Sequence, residues 1–129
     1  MKIRIKGNSL RFRLTRSETE YFGIKGYLEE QVEFGNSVLQ YALMKSSVVK
    51  NLSAEFSANK IVMRIPEHLA NEWTQTKRVG VEYGMEIGNG KKLFLVLEKD
   101  FKCVDHIEEE QRDNFENPLF LKRGNEPVK

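Results

Sequence analysis

Apolar and polar residues alternate strictly over Lys2–Lys6 and again over Leu10–Leu14, with Ile3, Ile5, Leu10, Phe12 and Leu14 on one set of positions. A period of two predicts half-buried β-strands. Gly7-Asn8-Ser9 between them is short and tolerant of positive φ, so the pair reads as a hairpin. Thr15 precedes Glu18 by three positions, which predicts a capping box and a short helix to about Phe22, with Gly23 as its stop. Strands follow at Leu28–Phe34 and Val38–Lys45, joined by Gly35-Asn36-Ser37. A polar connection at 46–51 leads to Leu52–Ser57 and Ile61–Ile65, joined across Ala58-Asn59-Lys60. Pro66 suits the first position of a second helix, where its missing amide costs little, and Leu69, Ala70 and Trp73 share one face of it. Val79–Tyr83 alternates again, Met85–Ile87 leads into Gly88-Asn89-Gly90, and Leu93–Leu97 reads as a strand buried on both faces.

The pattern repeats. With a shift of 51 positions Ile3 meets Ala54, Ile5 meets Phe56, Leu10 meets Ile61, Phe12 meets Met63, Arg13 meets Arg64 and Phe22 meets Trp73. With a shift of 53, Leu28 meets Val81, Glu29 meets Glu82, Glu33 meets Glu86 and Tyr41 meets Phe94. Element type, turn chemistry and apolar positions keep the same order through both halves, which predicts a duplicated strand–strand–helix–strand–strand unit over about 2–45 and 53–98. The expected class is α+β, mainly antiparallel, with about eight strands and two short helices. Such halves can close into a small barrel or pack as a curved sheet with helices on one face.

At 129 residues, 40% hydrophobic and 31% charged, the chain fits one domain with its own core. The expected domain is 1–121, in which 99–121 lies outside the repeat and docks, because it carries Phe101, Ile107, Phe115, Leu119, Phe120 and Leu121. A helical turn is expected over Glu108–Asp113, broken at Asn117-Pro118, and residues 122–129 are expected to fray. The alternating N-terminus lacks the apolar stretch of a signal peptide, no run reaches the ~20 residues of a membrane helix, and Cys103 is the only cysteine. Together these predict a cytoplasmic protein.

Net charge is only +2, but it is unevenly placed. Lys2, Arg4, Lys6, Arg11, Arg13 and Arg16 crowd the first sixteen residues, and Asp105, Glu108, Glu109, Glu110, Asp113 and Glu116 crowd 105–116. Lys2, Arg4, Lys6, Arg11 and Arg13 project from one face of the first hairpin, where they could bind phosphates, carboxylates or a polyanion. They could equally be a solvated face, or one covered by the acidic segment. Nucleic acid is disfavoured, since no exposed aromatics interleave the basic residues.

Glu29 with Glu33 and Glu82 with Glu86 recur in both halves. Inside a barrel they could hold a divalent cation such as Mg²⁺ while Arg11, Arg13 and Arg64 clamp phosphate. On open strands they are solvated charge pairs. Cys103-Val104-Asp105-His106 has half the ligands of a zinc site, or a thiol beside a base. The only other histidine, His68, falls on the second helix. No cofactor and no catalytic residue is expected on the main reading.

Two resemblances follow from these residues. The order strand, helix, three strands, taken twice, is similar to the triphosphate-tunnel fold in a circularly permuted order. Those enzymes open with alternating glutamates followed by lysine, where this chain has Lys2, Arg4 and Lys6. Lys2–Ser9, Glu98–Cys103 and Asp113–Pro118 resemble the motifs of a family of small uncharacterised bacterial proteins, a domain of unknown function. That resemblance implies one cytoplasmic domain and carries no activity. The expected role is therefore a binding or interaction module, not an enzyme, whose basic hairpin contacts an anionic ligand or a protein partner. The acidic segment would serve it as a lid or a homodimer contact. The alternative is a phosphate-processing enzyme with a charged barrel interior.

Overall fold

A computed structural model of the chain describes residues 1–101. The docking of 99–121 beyond Phe101, the turn at Glu108–Asp113, the break at Asn117-Pro118, the tail 122–129 and the Cys103–His106 pair lie outside the described residues. Eight strands and two helices follow in the expected order: β1 (Lys2–Lys6), β2 (Ser9–Leu14), α1 (Arg16–Lys25), β3 (Tyr27–Glu33), β4 (Val38–Ser46), β5 (Ser53–Ser57), β6 (Lys60–Pro66), α2 (Glu67–Gln75), β7 (Gly80–Gly88) and β8 (Lys91–Lys99). They form two four-stranded sheets, ordered β1-β2-β8-β7 (sheet A) and β3-β4-β6-β5 (sheet B).

Each sheet combines the first hairpin of one half with the second hairpin of the other. The hairpins are antiparallel, but the central pairs β2–β8 and β4–β6 are parallel. Both sheets are open, with edge strands, so there is no closed barrel. Their inner faces meet. Phe12 of sheet A and Tyr41 of sheet B pack edge to face at 5.9 Å, inside one core with Leu14, Leu43, Met63, Ile65, Leu95 and Leu97. Each helix carries the chain from one sheet to the other, which puts the helix pair at one end and the four hairpin turns at the opposite end.

A ββαββ duplication fits the two sheets to the level of single hydrogen bonds. The Gln40 amide donates to the Asn59 carbonyl at 3.0 Å, as the Phe94 amide donates to that of Asn8 at 3.0 Å. The Lys45 amide donates to Gly26 at 2.9 Å, as that of Lys99 donates to Val79 at 3.0 Å. Corresponding residues also touch each other. The Phe22 and Trp73 rings meet at 6.5 Å, and a Cβ added to Gly23 would lie 3.2 Å from the Thr74 side chain. A point that contacts its own equivalent lies on a two-fold axis, so the pseudo-symmetry axis runs between α1 and α2.

The register corrects one part of the repeat. Leu28 pairs with Leu43, and Val81 with Leu97. β3 therefore maps onto β7 with a shift of 53, but β4 maps onto β8 with a shift of 54, and Tyr41 corresponds to Leu95, not Phe94. The added residue is absorbed where the β7–β8 pairing jumps between Glu86 and Gly88, leaving Ile87 as a bulge on an edge strand.

Several local expectations change for physical reasons. Thr15 does form the capping box, accepting from the Glu18 amide while the Glu18 carboxylate accepts from the Thr15 amide. However, α1 runs through Gly23 to Lys25 and stops at Gly26, which is left-handed at φ 75°. Gly23 is needed for close helix packing, not for a stop. Pro66 ends β6 and is the N-cap of α2, with Glu67 the first helical residue. β7 passes unbroken through Gly84. Leu95 and Leu97 are buried, but Phe94 is 55% exposed, so β8 is covered on one face only.

The β5–β6 turn places both Ala58 (φ 49°) and Asn59 (φ 63°) in the left-handed region, the geometry of a type I′ hairpin. The first half has Gly7 where the second has Ala58. A left-handed alanine costs about 1 kcal/mol more than glycine. Ala58→Gly is therefore expected to raise stability by about 0.5–1 kcal/mol in urea denaturation, net of the added unfolded-state entropy.

Candidate functional site

Pairing partners share a face, so the registers assign every charged strand residue to a side. On sheet A, Arg11 and Arg13 alternate with the buried Leu10, Phe12 and Leu14 and must point outward. Their partners extend that face in rows: Lys2, Arg13, Glu98 and Gly80; Arg4, Arg11, Val96 and Glu82; Lys6, Ser9, Phe94 and Gly84; then Lys92 and Glu86. The fold thus brings Lys2, Arg4, Lys6, Arg11 and Arg13 together on one outer surface, and adds Lys92 and Phe94 from β8.

Glu98 organises the helix-proximal half of this face. Its carboxylate accepts from Arg11 Nη1 at 2.9 Å and from Arg13 Nε at 2.8 Å and Nη2 at 2.6 Å. Lys2 Nζ lies 3.6 Å from the carboxylate of Asp100. Towards the turns the picture changes. Among the described residues, Arg4, Lys6 and Lys92 have no ion-pair partner, and all three are exposed. Lys6 lies in the row of Phe94, Arg4 one row away and Lys92 two residues before it on β8; the Phe94 ring lies over Gly84, where a Cβ would come within 3.4 Å of the ring. Gly84 therefore gives the ring a seat on bare backbone.

Arg64 is the counterpart of Arg13, but it stands on the outer face of sheet B and pairs with Glu55 at 2.6 Å. Glu29 and Glu33 share that sheet B face, whereas Glu82 and Glu86 face outward from sheet A. The four glutamates and Arg11, Arg13 and Arg64 are thus divided between two outer faces. The enclosed charged interior of the tunnel-like arrangement has no counterpart in these open sheets. Phe12 and Met63 fill the core, but Ile5 is 64% exposed, because β1 is an edge strand and the sandwich opens towards its turns. No group of three or more metal-ligating side chains is present among the described residues, and His68 is exposed on α2.

Two further polar clusters escaped sequence reasoning. The buried α-ammonium of Met1 donates to Glu18 and Glu30, and the Tyr41 hydroxyl donates to the Met1 carbonyl at 3.1 Å. Burial works against the charges here, yet these bonds hold the amine above its usual range and the Glu18 carboxyl below its own. On sheet B, the Tyr27 hydroxyl donates to Glu29, and Lys60 Nζ donates to Tyr27 at 2.8 Å and to Glu29 at 3.0 Å. The bonds from Tyr27 and then Lys60 lower the Glu29 carboxyl, so this is a settled ion pair rather than a poised base. An open depression of about 510 Å³ beside it, lined by Ser17, Glu18, Tyr21, Tyr27, Leu28 and Glu29, holds none of the basic-hairpin residues. These clusters join side chains far apart in sequence through a register that periodicity does not reveal.

No helix among the described residues is long and apolar enough to cross a membrane. Comparison with curated proteins and with solved structures found no match. The expectation drawn from Lys2–Ser9 and the later motifs is met at the family level: a family model covers residues 1–119, and the chain belongs to the family of unknown function DUF7009.

Proposed function

We propose that this chain is a binding module that receives an anionic ligand or partner on the outer face of sheet A, and that it works in the cytoplasm. The observation that carries the reading is that Arg4, Lys6 and Lys92 share the turn-proximal part of one face with the exposed Phe94, with no carboxylate paired to any of them among the described residues. Other strand cations are paired with carboxylates: Arg64 with Glu55 and Lys60 with Glu29 on sheet B, and Arg11 with Glu98 on sheet A. Cations on a strand surface have their backbone positions already fixed, so only side-chain rotamers are ordered when they meet an anion, which favours affinity over a flexible loop. The flanking ring adds apolar contact next to the charge. The single Cys103 suits a reducing compartment.

Inorganic polyphosphate is a suitable probe, followed by calorimetry across a salt series. The double variant Arg4→Ala/Lys6→Ala is expected to weaken binding and to flatten the log K against log salt slope by about 1 per lost contact. Arg64→Ala, on the other sheet, is expected to change neither. Equal losses from the two variants, or no salt-dependent binding by the parent chain, would refute the reading.

A further inference from the structure

Along the sequence, the basic residues of the first hairpin have no aromatic residue interleaved with them beyond the buried Phe12. On the folded face they gain one. The row Lys6, Ser9, Phe94 and Gly84 crosses all four strands of sheet A, and Phe94 is 55% exposed. Its neighbours in that row are small. Ser9 turns its hydroxyl to the Lys6 carbonyl at 2.6 Å, and Gly84 has no side chain to raise against the ring. A Cβ on Gly84 would also come within 3.3 Å of Lys92 Cδ, so the lysine stem and the ring share the same bare stretch of backbone.

Asn8 fixes this arrangement. Its side-chain amide donates to the Lys92 carbonyl at 2.7 Å, and its own carbonyl accepts from the Phe94 amide at 3.0 Å. The first turn therefore holds Lys92 and Phe94 in one frame with Lys6. Sheet B repeats the frame but not its chemistry. The equivalents of Arg4, Lys6, Lys92, Phe94 and Gly84 are Glu55, Ser57, Val38, Gln40 and Gln31. Three unpaired cations and a ring stand on one copy of a backbone that the other copy uses without them.

A ligand that matches this face has spaced negative charge and a flat apolar surface beside it. Arg4 and Lys6 are two residues, about 7 Å, apart along β1, similar to the spacing of successive phosphates in a single strand. The described face is an open sheet. Small molecules favour concave pockets, whereas an extended strand uses an open basic surface with an exposed ring on which a base can stack. A duplex keeps its base faces inside its own stack. Glu82 and Glu86 lie on the β7 side of the face, so phosphates are drawn to β1 and the turn end, with a base turned in towards Phe94.

We infer that the outer face of sheet A binds single-stranded nucleic acid, with phosphates on Arg4, Lys6 and Lys92 and a base stacked on Phe94. This rests on the reading of that face as an anion site and adds the base as a second determinant.

The test is fluorescence anisotropy on the full chain with a short labelled oligothymidylate, competed by an abasic strand of the same length, the matching duplex, inorganic polyphosphate and polyglutamate. The oligothymidylate is expected to bind about tenfold more tightly than the abasic strand, the worth of one stacked base. Phe94→Leu, which keeps apolar bulk without the ring, is expected to abolish that difference and leave polyphosphate binding unchanged, and Phe94→Trp to preserve it. Arg4→Ala/Lys6→Ala is expected to weaken both ligands and reduce their salt dependence. Equal affinity for the abasic strand or the duplex, or equal losses of both ligands in Phe94→Leu, would overturn the inference while the anion-binding reading stands. Polyglutamate competing as well as oligothymidylate would overturn it in favour of an acidic protein partner. If no anion binds the parent chain, both readings fall.

Discussion

Trp73→Ala is expected to remove about 3–5 kcal/mol of stability, the usual range for deleting a large buried aromatic. That is a large part of the 5–15 kcal/mol available to a typical domain. Trp73 is fully buried and packs edge to face on Phe22 at the pseudo-two-fold axis, and its indole Nε1–H donates to the Val79 carbonyl at 3.0 Å. The ring therefore joins α2 to α1 and α2 to the entry of β7. Truncation would open a cavity between the two helices that connect the sheets and remove one of the two donors to the Val79 carbonyl, which keeps the Lys99 amide. Trp73→Phe separates these effects. It installs the residue that the first half carries at the same point, Phe22, and should cost far less, with about 1 kcal/mol from the lost hydrogen bond. Urea denaturation of both variants gives the comparison. A loss under 2 kcal/mol for Trp73→Ala would show that the axis is not the keystone of the packing.

That the axis passes through Trp73 was half legible in the sequence. The equivalence of Phe22 with Trp73 follows from the 51-residue shift, because both end an apolar pattern that begins at matching strands. That the two side chains touch does not follow, since periodicity places residues on faces but says nothing about which faces meet. The same limit hid the exchange of hairpins. Alternation marks Leu10–Leu14 and a continuous apolar run marks Leu93–Leu97 as strands, yet pairing across about eighty positions is selected by the packing of the whole sandwich. Thr15 and Glu18 were legible because a capping box is complete within four residues. Gly23 was misread because a glycine at a helix end and a glycine at a helix crossing look alike until the opposing Thr74 is in view. Phe94 was hidden by its neighbours. In an apolar run the alternation is invisible, and only the β2 register shows that Leu95 points in and Phe94 out. The basic hairpin was legible as a face from alternation alone, but the loss of Arg64 to the other sheet was not.

Glu98→Gln is expected to move stability and binding in opposite directions. The side chain is only 17% exposed and accepts hydrogen bonds from two guanidiniums, Arg11 and Arg13. Glutamine preserves shape and one acceptor oxygen but removes the charge and a second acceptor, and turns a donor towards the arginines. Hydrogen bonds to charged groups contribute about 1.5–3 kcal/mol, so a destabilisation near 2 kcal/mol is expected in urea. The same change removes a carboxylate from the proposed binding face. A unit charge at a few ångströms near a surface is worth about 1 kcal/mol or slightly more, which makes polyphosphate binding roughly five- to tenfold tighter. A substitution that merely loosens the sheet would weaken both properties together. Glu55→Gln is the matched control: it removes the counter-charge of Arg64 on sheet B, at the position corresponding to Arg13, and should leave polyphosphate affinity unchanged. If Glu98→Gln and Glu55→Gln tighten binding equally, the anion responds to net charge and not to the face built by β1, β2 and β8. If only Glu98→Gln does so, Glu98 acts as the internal counter-charge that reserves two of the arginines, leaving Arg4, Lys6 and Lys92 as the part of the surface open to a partner.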